Sequence, residues 1–300
     1  MDRQTLIDRE TVTRRTAQFY SSLPFNFHGS TEQAIETIKT QNQIQVYRDL
    51  DEILRKAGSR DQVLDVGCGS GWFVNSVAYH YGLTVTGIDL CEAALERGRE
   101  VARELGVSKR TGFHSLDLFD VQALGNTFFV VNSLGVLHHT FDCREALRGI
   151  SQVLQGGGSL HVGLYHQYGR EPFLNLFKPY RQRLSLCSPA ERTEVEGQAY
   201  HLYKELNPQI TDEAFLYSWF RDQVLHPHES QHTLEEVYSW LVELGLEPLS
   251  TSINRFQPVD RWESIFEEEK KSFHLSVQRN CVEKRYFPGF FTVLSRKRLP

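Results

Sequence analysis

The residues of this 300-residue chain best suited to chemistry lie in one short run, Val63-Leu64-Asp65-Val66-Gly67-Cys68-Gly69-Ser70-Gly71. A short apolar strand carrying an acid opens into three alternating glycines. Glycine has no Cβ, so the chain can turn sharply and a ligand can lie against bare backbone. Open α/β sheets bind their ligands at the carboxyl ends of the strands, where such a run would sit. Asp65 adds a negative charge that a phosphate-binding loop would avoid. It suits a ligand with a cationic end, such as a sulfonium or an ammonium. The spacing separates cofactors further. The dinucleotide fingerprint wants a third glycine at position 72, where Trp72 stands, and the P-loop Gly-Lys-Ser/Thr is absent. Cys68 reads as a small packing residue of the loop rather than a nucleophile.

Asp89 ends the next apolar strand, about 20 residues past Gly69, where a carboxylate can reach two ribose hydroxyls. Leu90 follows it, placed to lie along a purine. His138 and His139 are candidate general bases, because imidazole titrates near working pH. A plainer role for each is to hold its loop.

The phrase Asn132-Ser133-Leu134-Gly135-Val136-Leu137-His138-His139 follows a fourth strand. Taken with Asp-x-Gly-x-Gly-x-Gly at 65–71, it resembles the motifs of class I S-adenosylmethionine-dependent methyltransferases of the small-molecule type. The resemblance runs from about 62 to 166, through Gly156-Gly157-Gly158 and Gly163-Leu164-Tyr165. It departs before the fourth strand, where Gly125-Asn126-Thr127 replaces an acid common in relatives. The resemblance implies a Rossmann-like, seven-stranded, mainly parallel sheet and S-adenosyl-L-methionine as cofactor. It places Asp65, Gly67, Cys68, Gly69, Asp89, Leu90, Asp117, Leu118 and Asn132 at the cofactor, with Asp117 accepting from the adenine amine. Tyr20, on an N-terminal segment that folds over the cofactor in this fold, joins them. Tyr165 and His166 would border the acceptor.

A second cluster spans 219–232, with His226-Pro227-His228-Glu229 and His232. Imidazole and carboxylate suit zinc or iron. The run holds no helical His-Glu-x-x-His, however, and Pro227 breaks a helix, so no metal site is expected. Arg221 and His226 are read instead as a polar rim of the acceptor pocket, Arg221 gripping an acceptor carboxylate.

The elements that must position these residues alternate short apolar runs with helix-period segments, which argues an α/β sheet with crossover helices. Strands are expected at 62–66, 84–88, 111–114, 127–132 and 159–164. Asp142 and Glu145 cap a helix ending near Leu154, and Gly156-Gly157-Gly158 close it and open the fifth strand. Residues 166–232 read as a helical insertion covering the acceptor. Thr233-x-x-Glu236 opens another helix, and strands at 248–254 and 290–295 complete the sheet. The run Glu267-Glu268-Glu269-Lys270-Lys271 reads as a solvated helix face. Residues 1–60 form a cap of two helices around a loop at 21–30, 61–165 the core, and 233–300 its completion.

Composition is that of an ordinary globular protein, 40% hydrophobic and 24% charged, with a formal charge of −5. That charge gives no broad attraction to a phosphate backbone, and the Asp/Asn-Pro-Pro-Tyr/Phe of nucleic-acid amino-methyltransferases is absent. No run of about 18 apolar residues suggests a membrane span. Five scattered cysteines fit a reducing, cytoplasmic setting. Methyl transfer to the oxygen, nitrogen or carbon of a small molecule is the leading expectation. A non-catalytic nucleotide-binding or regulatory protein is the alternative, and the oligomeric state stays open.

Overall fold

The computed structural model describes residues 8–23, 25 and 30–299. Half of the expected loop at 21–30, including Phe27 and His28, therefore lies outside the described residues.

The seven strands are β1 (Gln62–Val66), β2 (Thr84–Asp89), β3 (Thr111–Ser115), β4 (Phe128–Leu134), β5 (Leu154–Tyr165), β6 (Leu246–Thr251) and β7 (Phe290–Lys297). They lie in the order β3-β2-β1-β4-β5-β7-β6. Neighbours are parallel except that β7 runs antiparallel to both β5 and β6. Between β1 and β4 the order reverses, and the crevice above that switch point is where such sheets hold a ligand.

Apolar residues on both sheet faces explain the helices on both sides. Val63, Val85 and Val130 pack with α4 (Trp72–Tyr81) and α5 (Glu92–Glu104), outside which lie α2 (Thr31–Thr40) and α3 (Arg48–Lys56). Leu64, Val131 and Leu160 face α6 (Cys143–Gln152) and α10 (Leu234–Glu243), with Ile265 of α11 (Trp262–Glu269). Two caps read from sequence are present: Asp142 accepts from the Glu145 N–H, and Thr233 from the Glu236 N–H.

The insertion is helical, comprising α7 (Gln167–Leu186), α8 (Pro189–Leu206) and α9 (Glu213–Phe220). Its own core is aromatic, with Phe173, Phe177, Tyr203 and Phe220 all fully buried. A π turn at 221–225 continues α9 and swings Asp222 and Gln223 inward. Such a turn is a frequent feature of functional sites.

Three local expectations change. The glycine triplet does not close α6: that helix stops at Gln152, and all three glycines lie inside β5, with Gly157 at φ +78° beside the register shift at Phe128/Val130. A third N-terminal helix, α3, follows the two expected, which are α1 (Arg9–Ser22) and α2. The charged run at 267–271 is only partly a solvated face. Glu267 and Glu268 are exposed, whereas Glu269 is buried and accepts the N–H groups of Leu234 and Glu235 at the start of α10. An acid there answers the unpaired donors and positive end of the helix.

Candidate active site

The glycine run curls over the end of β2. The N–H groups of Gly67 and Cys68 both donate to the Ile88 carbonyl, at 2.8 and 2.9 Å. Asp89, next along, accepts the Gly69 N–H on one oxygen and the Cys91 N–H on the other, both at 2.8 Å. The glycines serve different ends. At Gly67 (φ +70°) a Cβ would overlap the methyls of Val136, so backbone and side chain need that space. At Gly69 (φ +51°) a Cβ would meet no atom within 4 Å, because this residue lines an open cavity.

That cavity, about 400 Å³, runs from the glycine loop to the insertion. Asp65, Gly67, Cys68, Gly69, Asp89, Leu90, Asp117, Leu118, Asn132 and Tyr20 all line it. Burial pushes Asp65 up to about 7, held in check by the Asn132 amide, which donates to it at 2.8 Å. The Asn132 oxygen in turn accepts from Nδ1 of buried His161, also at 2.8 Å. Asp89 is likewise raised by burial and lowered by its backbone donors. The Cys68 thiol is driven well up by burial, which keeps it protonated. Asp117 carries an ion pair with Arg9 of α1 at 3.0 Å and accepts the Phe119 N–H.

The histidines separate. His139 lines the cavity. Its Nδ1 lies 2.9 Å from the His228 carbonyl, which only accepts, so Nδ1 carries the hydrogen and Nε2 is bare. Burial lowers its pKa and keeps it neutral. His138 is fully buried outside the cavity lining, and its Nδ1 accepts the Tyr165 N–H. It holds its loop and is removed from the candidate bases.

The expected acceptor border needs similar correction. Tyr165 lines the cavity and donates to Asp222. His166, one residue on, points elsewhere and bonds Glu269 at 2.8 Å. Alternation along β5 sends neighbouring side chains to opposite faces. Arg221 does not reach the cavity. It donates to the Phe19 carbonyl and lines a separate surface depression. His226 is buried behind His139, ring centroids 3.7 Å apart, and does not line the cavity. The other polar residues of this segment also have different partners: Glu229 bonds Arg170, and His232 bonds Glu236.

Three residues at the acceptor end escaped the sequence reading. Asp222 accepts from Tyr20 (2.5 Å), Tyr165 (3.2 Å) and Gln223 (2.9 Å). Tyr286 donates to Gln223, and fully buried Arg170 stacks 3.8 Å from the Tyr165 ring while paired with Glu229. The available signal for Asp222 was a polar triplet, Arg221-Asp222-Gln223, set between Phe220 and Val224-Leu225.

A glycine loop open at Gly69, an acid at the end of β2 and a second acid beside β1 fit a nucleoside with a cationic sulfur. The cleft at the switch point and this loop have the form of a class I S-adenosylmethionine-dependent methyltransferase domain, a class whose cofactor is S-adenosylmethionine. Residues 63–158 match the family described as methyltransferase domain. An uncharacterized protein of Synechococcus sp. is 28% identical over 220 residues, covering 68% of this chain and 50% of that one. The 27-O-demethylrifamycin SV methyltransferase of Amycolatopsis mediterranei is 34% identical over 103 residues, 34% of this chain and 38% of that one. The chain thus spans half or less of the length of these curated relatives. Among solved structures, the Rickettsia typhi protein PKMT2 in complex with AdoHcy superposes with TM-score 0.60 at 15% identity, covering 85% of this chain and 53% of that one. The geranyl diphosphate C-methyltransferase of Streptomyces coelicolor gives 0.52 at 13% identity, with 96% and 98% covered. These structural likenesses show the fold. Among the described residues, no helix is long and apolar enough to cross a membrane.

Proposed function

We propose that the protein transfers a methyl group from S-adenosylmethionine to a small molecule held at the insertion end of the cavity. The observation that carries this is continuity: one cavity joins Gly69 and Asp89 to Tyr165 and Asp222. Asp89 would take the ribose hydroxyls, and Leu90 and Leu118 would flank the adenine, with Asp117 at its amine. Asp65, Asn132 and Tyr20 would surround the methionine part. The core at 61–165 would hold the cofactor, with 1–60 and 166–232 closing over it and 233–300 completing the sheet.

When bound, S-adenosylmethionine supplies an electrophilic methyl on a sulfonium. The chain's own contribution is to orient the acceptor and exclude water, which lowers the barrier by fixing the reacting geometry. The neutral Nε2 of His139 is placed to receive a proton released at the acceptor end. Calorimetric titration with S-adenosylhomocysteine, with NAD in parallel, tests the reading. Binding of the thioether alone supports it, and binding of NAD alone overturns it. Methyl incorporation into an acceptor library then separates an enzyme from a protein that only holds the nucleoside.

A further inference from the structure

Among the described residues, Asp222 is a carboxylate with no countercharge. It is 5% exposed, and its hydrogen-bond donors are the neutral groups of Tyr20, Tyr165 and Gln223. The buried cation nearby, Arg170, is matched one to one by Glu229. His139 places Nε2 3.9 Å from Asp222 Oδ1, beyond hydrogen-bond length, and that nitrogen has no partner among the described residues. Two electron-rich atoms therefore face each other inside the protein. A buried charge without a partner is costly, so this arrangement asks for a cation.

The cavity agrees. Its described wall contains no lysine or arginine, and it is lined by Asp222 together with the aromatic residues Tyr165, Trp219, Tyr286 and Phe290. A carboxylate within aromatic faces stabilises an ammonium both by direct charge and by the ring quadrupoles. A hydroxyl would gain one hydrogen bond there, and an anion would be repelled.

We propose that the acceptor is an amine, bound as its ammonium with the nitrogen against Asp222, so that the transfer is an N-methylation; this rests on the methyl-transfer reading above. The ammonium gives one proton to the bare Nε2 of His139 across Asp222, leaving an imidazolium beside the carboxylate. The freed nitrogen lone pair forms the new N–C bond as the methyl C–S bond breaks, and that electron pair returns to sulfur to leave the neutral thioether. The methylated ammonium departs, and His139 releases its proton to water.

An isosteric trio tests the assignment on the full chain saturated with S-adenosylhomocysteine: phenethylamine, 2-phenylethanol and phenylacetate, titrated by ligand-observed NMR. The amine is expected to bind about tenfold tighter than the alcohol, and phenylacetate not at all. In Asp222→Asn the amine should lose about tenfold while the alcohol changes little, with thioether binding reporting that the variant is folded. The wild-type ranking stands by itself if that variant fails to fold. An alcohol or carboxylate that matches the amine, an amine that does not bind, or an amine indifferent to Asp222→Asn in a folded variant overturns the assignment alone. Failure of the thioether to bind the wild type overturns the methyl-transfer reading and the amine assignment together.

Discussion

The Asp89 carboxylate accepts the backbone N–H of Gly69 at 2.8 Å, so the acid at the end of β2 holds the glycine loop as well as facing the cavity. Removing it costs two charge-assisted backbone bonds, each worth about 1.5–3 kcal/mol. Asp89→Ala is expected to weaken S-adenosylhomocysteine binding by about 10- to 100-fold and to lower the melting temperature clearly. Titration calorimetry checks this, and an unchanged affinity in a folded variant removes Asp89 from the site.

The two loop glycines should respond differently to alanine. Gly67→Ala meets the Val136 methyls and must shift the backbone or that side chain, so thermal stability falls clearly. Gly69→Ala meets open space and pays mainly for its positive φ, about 1 kcal/mol, yet its methyl enters the cavity. The expected pattern is a stable Gly69→Ala protein that binds the thioether poorly. Normal binding there would overturn the loop assignment.

His138 and His139 are adjacent in sequence but only His139 reaches the cavity. His139→Gln is expected to slow methyl transfer about 100-fold or more while thioether affinity stays near wild type. The reverse pattern, weak binding with transfer intact, would remove it as the proton acceptor.

Arg170 and Glu229 form a buried ion pair at 2.9 Å. Arg170→Leu strands Glu229 and should cost about 3–5 kcal/mol in denaturant unfolding. The Arg170→Leu, Glu229→Leu double variant should recover most of that loss, since no buried charge is then left alone. Equal loss in single and double variants would mean packing on Tyr165, not charge, sets the cost.

Buried His138, His139, His161 and His226 all have depressed pKa values because burial disfavours the cation, His161 falling to about 4. The unfolded chain takes these protons near the ordinary histidine value of about 6.5. Their contribution is therefore present above that pH and is lost as pH falls from about 6.5 towards 4. Asp65 runs oppositely: its pKa is raised to about 7, so its contribution is full below 3.8 and declines as pH rises through 7. Asp89, also raised by burial, runs with Asp65, so four groups oppose two, and stability should fall between pH 7 and 5, more steeply in Asp65→Asn. Urea unfolding across that range checks the slope, and a flat profile would show the rings are not buried neutral.

Much of the cofactor half was legible in sequence because its signals are local. Glycines at 67 and 69 follow a strand directly, and Asp89 ends the next one, so strand and loop chemistry alone set their positions. The acceptor half depends on contacts between distant parts of the chain. Tyr20 meets Asp222 across 202 residues, and Tyr165 meets it across 57. Glu269 looked like one more surface acid until α10 placed two backbone donors against it. Sequence by itself determined the strand pattern and the glycine loop, because periodicity and backbone freedom are properties of neighbouring residues, and the resemblance of its motifs to those of methyltransferases pointed to the cofactor class. Only the tertiary structure decided which histidine reaches the cavity and which acid stands there without a countercharge, because burial and pairing depend on what packing brings together from afar.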